Sequence, residues 1–318
     1  MRAIVDDKKL IVKVCKLYYF DGMTQAQIAK RIGVSRPIVS KMLSKAKEEK
    51  IVEIFIKDES AHTVDLELHI EKKYGIKEAI VVSKSGYGSG VLLDLLGQAA
   101  ASYVSKKIGN IGSLGISWGK SVSSFVDAYP FEKNENVKVV PLIGGMGRSE
   151  LDLHSNMLTL KLAQKLHTHC SYLYAPAMLK NIDTKNRLLE SEDINGVLQE
   201  GNAVDMAIVG IGNPVVHSTM EEIGYLSNED VESLRESSAI GDINSFFFDI
   251  DGVPLTHPLN DSIIGVDLES LKAIGTTIAI ATGDNKTLSI HSALLGGAVD
   301  VLVTDDETAQ KILDIEQK

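Results

Sequence analysis

Apolar residues recur at helical spacing near the start of this chain. Leu10, Ile11, Val14, Leu17, Tyr18 and Phe20 share one side of a helix that Gly22 closes. The same period returns at Ile28, Ala29 and Ile32, and again at Val39, Met42, Leu43 and Ala46. Thr24 and Gln27 stand at the spacing of a capping box, in which hydroxyl and amide side chains satisfy each other's backbone N–H. Gly33 falls where a helix must end in the left-handed conformation, and Val34 follows as a turn plug. Ser35 is a second N-cap, and Pro37 belongs in the first turn, where its missing N–H is not needed. Two short helices joined by such a turn are a helix-turn-helix. The alternative is a helical hairpin inside a larger core, but caps, turn and a basic outer face agree with one another. After Lys50 the period falls to two through Ile56, which predicts a strand, the wing of a winged helix-turn-helix.

Residues 57–63 are polar and read as a linker. In 64–75 the apolar positions alternate like a strand, whereas the Glu and Lys content, Thr63 as a cap and Gly75 as a stop favour a helix, which is the assignment taken. From residue 77 short apolar runs alternate with helical stretches. The runs lie at 78–83, 112–117, 138–144, 171–176, 205–212, 276–282 and 298–304, and helices are expected over 91–107, 154–167, 229–236, 286–295 and 306–314. That alternation predicts an α/β fold with a mostly parallel sheet covered on both faces. Ligands bind such sheets at the carboxyl ends of the strands. The division expected is therefore a DNA-binding domain over 1–57 and a larger domain over 58–318.

Charge changes this picture in one respect. The net charge of the 318-residue chain is −10, which taken alone argues against nucleic acid. Its distribution reverses the inference: residues 1–58 hold 13 Lys and Arg against 7 Asp and Glu, and the remainder 20 against 36. A basic head on an acidic body confines DNA contact to the head. On the second helix of the motif Arg36, Pro37, Ser40, Lys41 and Ser44 face outward to meet base edges or flanking phosphates. Thr24, Gln25 and Lys45 are placed to hold the backbone. Cys15 and Cys170 form neither a disulfide framework nor a metal set. His167 and His169 lack Cys or Asp partners, so no metal is expected. No run is apolar for long enough to span a membrane, and lysines interrupt the only candidate leader, so the expected location is the cytoplasm.

Candidate chemistry sits just after the runs. Gly119, Lys120 and Ser121 follow the second run at a strand-to-helix turn, where backbone N–H groups bind anions. The glycine spacing is not that of a nucleotide-hydrolysing loop, and a plain turn explains the fragment about as well. Arg148 and His154 follow the third run, as a possible phosphate partner and a possible sugar hydrogen-bonding group against solvated or capping alternatives. Asp242, at what reads as a glycine turn, is placed to accept sugar hydroxyls or to make an Asx-turn. Lys286 falls in the expected first turn of a helix, where the dipole disfavours a cation unless an anion shares the site.

These segments together resemble the SorC/DeoR-type sugar-responsive bacterial transcriptional regulators. The resemblance runs through the head from Tyr18 to Ile54, through GISWGKSV, VVPLIGGMG, Asn156, DMAIVGIG, GDINSFFFDIDG, ATGDNKTLSI and VDVLVTDDETA, and so covers nearly the whole chain. It implies a winged helix-turn-helix followed by a Rossmann-like, sugar-phosphate-isomerase-like effector domain that binds a phosphorylated sugar without turning it over. It also implies tetramers on operator DNA, and effector contacts at Gly119, Lys120, Ser121, His154, Asp242 and Lys286. Ile143 stands where some relatives carry a charged residue, which argues against a Schiff-base lysine there. The second reading is a sugar-phosphate isomerase or deaminase with an appended head, using Asp242 as base.

Overall fold

The computed structural model describes residues 7–54, 58, 60–84, 86, 88–147 and 150–316. The chain divides between Ala61 and His62 into two compact units. In the first, helices Lys8–Tyr19, Gln25–Ile32 and Arg36–Glu48 enclose Ile11, Val14, Ile28, Val39, Met42 and Ala46, all fully buried or nearly so. Both arms of the expected capping box form, with Gln27 N–H to Thr24 Oγ1 at 3.3 Å and Thr24 N–H to Gln27 Oε1 at 2.9 Å. Gly33 adopts φ +74°. Ser35 occupies its cap position without a side-chain hydrogen bond.

The wing differs from expectation. Lys50 turns left-handed (φ 55°), and the N–H groups of Ile51 and Val52 both fold back onto Ala46 O at 2.8 and 3.1 Å. Ile51 and Val52 thereby pack against the three-helix core, and no strand forms over 51–54. Local C-capping and burial outweigh the two-residue alternation. The rest of the expected strand, Phe55 and Ile56, lies outside the described residues.

The second unit is built on parallel strands β1 (Glu78–Val82), β2 (Ser113–Ile116), β3 (Lys138–Pro141), β4 (Met206–Gly212), β7 (Thr276–Ile280) and β8 (Val301–Asp305), in the order β1-β8-β7-β4-β2-β3. Successive residues point to opposite faces. Ala207, Val209, Ala279 and Leu302 serve one core, and Met206, Ile208, Ile278 and Val303 the other. Helices Ser89–Ser105, Lys120–Ala128 and Ser155–Leu166 cover the second face. Helices Ala61–Tyr74, Thr287–Leu295 and Asp306–Asp314 cover the first. Both faces covered is what a parallel sheet requires.

The ambiguous segment is a helix, Ala61–Tyr74. Leu66 and Ile70, four apart, enter the core, while Val64 and Leu68 remain 42% and 57% exposed. Its Glu67 and Glu71 carboxylates accept from Val81 and Ala79 N–H at 2.9 and 3.0 Å, capping the free edge of β1.

Two sequence expectations are corrected. Residues 171–176 form no strand, only isolated bridges at Cys170 and Pro176. The Asn156 side chain takes the place of a neighbouring strand there, accepting from Leu173 N–H at 2.9 Å and donating to Leu173 O at 3.0 Å. Residues 240–252 hold a hairpin, β5 (Gly241–Ile243) and β6 (Phe246–Phe248), antiparallel to the end of β4. Its two-residue turn is Asn244–Ser245, with φ 52° and 66°, the left-handed pair that matches strand twist. Asp242 therefore sits in a strand rather than at a glycine turn.

Candidate functional site

The chain leaves β2 toward β3 on one side and leaves β4 toward β7 on the other. Between β2 and β4 the connections diverge, and helices cannot fill the crevice at the strand ends. A cavity of about 500 Å³ opens there. Its walls come from the ends of β2, β4 and β7, the β5–β6 hairpin and the segment after β4.

At the end of β2, Ser117 N–H bonds Ile208 O, which keeps the strand paired into the turn. Gly119 follows with φ +104° and ψ 172°, a conformation that side chains resist, and helix Lys120–Ala128 begins directly after it. Gly119 N–H is used by Leu153 O at 3.0 Å, and Gly119 O accepts from Ser123 N–H at 2.9 Å. Among the described residues the N–H groups of Lys120, Ser121 and Val122 have no acceptor. Three unpaired donors at a helix N-terminus, two of them on residues that line the cavity, suit an anion. Lys120 Nζ reaches Glu222 Oε2 at 2.8 Å, both side chains being about half exposed. Ser121 is buried beside it.

The hairpin brings a carboxylate to the opposite wall. Asp242 pairs in register with Gly212, and a Cβ at Gly212 would lie 2.0 Å from Asp242 Oδ1, so only glycine leaves room. Burial lifts the Asp242 carboxyl from its usual 3.8 to about 6, against the opposing pull of Lys286 and of Ser245 N–H. Burial likewise lowers the Lys286 ammonium, with Asp242 acting in the other direction. Lys286 ends the turn Asp284–Lys286 and stands one residue before helix Thr287–Leu295, not in its first turn. Its side chain lines the cavity without a hydrogen bond or ion pair among the described residues.

Gly119, Lys120, Ser121, Asp242 and Lys286 are thus brought together around one cavity. His154 is not in its lining: it is buried at the cap of helix Ser155–Leu166, next to Ser155, whose hydroxyl donates to Ile116 O at 2.7 Å. Arg148 lies outside the described residues. Sequence reasoning missed Asn244, whose amide donates to Leu142 O and Val266 O and whose oxygen accepts from Ser117 Oγ at 2.7 Å. It also missed Ser245, which accepts from Trp118 Nε1 at 3.0 Å. The signal in the sequence was partial: Asn244–Ser245 separates two short apolar runs, and Asn tolerates the left-handed conformation, but the glycine of an ordinary hairpin pair is absent. Thr282, Asn213 and Ser218 add further polar lining.

In the head, Arg36, Pro37, Ser40, Lys41 and Ser44 are exposed along one helix. Lys45 is half-buried and pairs with Glu49 at 3.6 Å. Thr24 is exposed and Gln25 half-buried at the start of the preceding helix. No helix among the described residues is long and apolar enough to cross a membrane.

Comparison with known proteins gives this geometry a context. Residues 58–314 match the Sugar-bind family of sugar-binding domains. The sorbitol operon regulator of Klebsiella pneumoniae is 33% identical over 310 residues, 97% of this chain and 98% of the relative. The chain belongs to the SorC/DeoR-type family of sugar-binding transcriptional regulators. The deoxyribonucleoside regulator of Bacillus subtilis is 30% identical over the same share of the chain. The full-length crystal structure of the Klebsiella sorbitol operon regulator SorC superimposes with a TM-score of 0.77, covering 97% of this chain and 99% of that one. A DeoR family regulator from Listeria monocytogenes, 44% identical, covers 79% of this chain and 99% of its own, with a TM-score of 0.75. This SorC/DeoR-type chain is accordingly a transcriptional regulator with a sugar-binding domain, and not an enzyme.

Proposed function

We propose that this regulator controls a carbohydrate catabolic operon by binding operator DNA through its head and a phosphorylated sugar through the cavity at the β2/β4 crevice. Arg36, Pro37, Ser40, Lys41 and Ser44 meet base edges and flanking phosphates, while Thr24, Gln25 and Lys45 hold the DNA backbone. The phosphate sits at the helix start formed by Gly119, Lys120 and Ser121, with Lys286 as second cation. Asp242 accepts sugar hydroxyls, and His154 supports the site from the adjoining loop. The observation that carries the anion assignment is the set of three acceptor-free N–H groups at Lys120–Val122, at a helix start whose Lys120 and Ser121 line the same cavity as Lys286. One small head buries too little surface for tight specific binding, so the working form is a homo-oligomer, a tetramer by resemblance, engaging several half-sites. The effector acts by binding the DNA-competent and DNA-incompetent arrangements unequally.

The test is thermal unfolding of the protein against a panel of sugars and their phosphates, with Trp118 fluorescence as a second readout. A ligand at 100 times its Kd stabilises by about 2.7 kcal/mol, a shift of roughly 5–10 °C for a domain of this size. The expected result is a shift with one sugar phosphate that its free sugar does not give and that Lys286→Ala removes. Equal shifts with the free sugar, or persistence in Lys286→Ala, would refute the phosphate assignment.

A further inference from the structure

The charges around the cavity mouth do not cancel in an ordinary way. Lys120 stands at the first position of a nine-residue helix, where the dipole opposes a cation. Lys286, lowered by burial and supported by the charge of Asp242, also feels the repulsion of Lys120 across the site. Asp242 is drawn toward the neutral form by burial. The carboxylate that holds Lys120 in place is Glu222, at 2.8 Å, and its charge also reaches Lys286. Glu222 ends the short helix Thr219–Glu222, in the segment after β4 that supplies His217, Ser218, Thr219 and Met220 to the cavity wall. The side chain of neighbouring Glu221 makes no hydrogen bond or ion pair among the described residues, and its backbone carbonyl accepts from Gly224 N–H at 2.9 Å.

We infer that Glu222 is a resident counter-anion that competes with the ligand's anionic group for Lys120, and so sets the charge a ligand must bring. This rests on the phosphate reading above and adds its selectivity. A phosphate dianion offers Lys120 and Lys286 two charges and has acceptors for three backbone N–H groups. It also repels Glu222, so binding replaces the Lys120–Glu222 pair. A monoanion replaces that pair with no gain in charge. A neutral polyol leaves it in place and gains nothing from either lysine. Glu222 thus discriminates against weakly charged ligands by a repulsive element as well as an attractive one.

The experiment uses the full-length protein and inorganic phosphate. Trp118 fluorescence is followed at about pH 8.5, well above the second ionisation of inorganic phosphate, so that the dianion predominates, with chloride holding ionic strength constant. Glu222→Gln is expected to lower the half-saturating phosphate concentration about two- to five-fold, the value of an exposed pair. Glu221→Gln changes net charge equally and is expected to leave it unmoved. In a Lys120→Met background Glu222→Gln should confer no gain, since the coupling is between those two residues. If wild type responds to phosphate and Glu222→Gln is unchanged or weaker, the counter-anion role is refuted while the anion site stands. The same holds if Glu221→Gln matches Glu222→Gln, which would reduce the effect to net charge. If neither wild type nor Glu222→Gln responds, in fluorescence or in thermal unfolding, the anion site itself fails and the counter-anion role with it.

Discussion

Asp242→Asn should make this protein more stable and less responsive at once. Asp242 is 6% exposed, and its carboxyl is lifted from 3.8 to about 6 by burial that neither Lys286 nor Ser245 N–H offsets. The folded form then holds the proton more tightly than the unfolded chain, so stability falls as pH rises from about 3.8 to about 6 and stays low above that. At about 1.36 kcal/mol per pH unit between the two values, the ionised side chain costs about 3 kcal/mol at pH 7.5 and about 1 kcal/mol at pH 4.5. Asn keeps an oxygen for Ser245 N–H and removes the charge. Urea unfolding should therefore give Asp242→Asn a higher midpoint at pH 7.5, by up to about 3 kcal/mol, with the advantage shrinking to about 1 kcal/mol at pH 4.5. The fluorescence response to the effector should be lost in the same variant, since a carboxylate accepting two hydroxyls becomes an amide that accepts one and donates one. A destabilised variant with the same deficit at both pH values would refute the reasoning, because it would mean that the carboxylate is satisfied in place and burial does not govern its titration.

Two predictions concern the head. Thr24→Ala removes the hydroxyl that accepts from Gln27 N–H at 3.3 Å, and should cost about 1 kcal/mol, seen as faster amide exchange through helices Gln25–Ile32 and Arg36–Glu48. Exchange rates matching wild type would show that the Gln27 arm alone closes the helix start. Lys45→Ala should weaken operator binding about equally across sequences and reduce the slope of log affinity against log salt by about one. An unchanged slope would place Lys45 away from phosphate.

What the sequence made legible was whatever is decided locally. Thr24, Gln27 and Gly33 announce a helix start and stop through contacts three residues apart, and the structure has them there. The strands of the parallel sheet were legible because burial on both faces needs unbroken apolar runs such as those of β4 and β8. Segment 171–176 has the same composition, but its backbone partner is the side chain of Asn156, a contact no local pattern encodes. The wing strand over 51–54 failed for a related reason: the left-handed Lys50 commits the next two N–H groups to Ala46 before any strand can begin. At the site, the glycine turn before Lys120 and the two lysines, Lys120 and Lys286, were visible as motifs. Gly212 was not, because its need for space arises from Asp242 thirty residues on. Glu222 was not, because an exposed Glu on a short helix carries no signal until Lys120 is found beside it.

The way helix Ala61–Tyr74 is held bears on how the molecule is made. Its Tyr74 hydroxyl meets His291 Nδ1 at 2.6 Å across 217 residues of sequence, and Lys73 Nζ donates to Leu313 O at 2.9 Å across 240. β1, which follows it, pairs only with β8 among the described strands. During synthesis at about 5–20 residues per second, β1 therefore waits roughly ten to forty seconds for its partner. Through that interval Glu67 and Glu71 can already cover one of its edges, while the other stays open. The three helices of the head close on contacts within some forty residues and need no such wait. A nascent chain thus carries a finished three-helix head well before the sheet of the second unit can close, and the exposed edge of β1 is where a chaperone or a second nascent chain would first take hold.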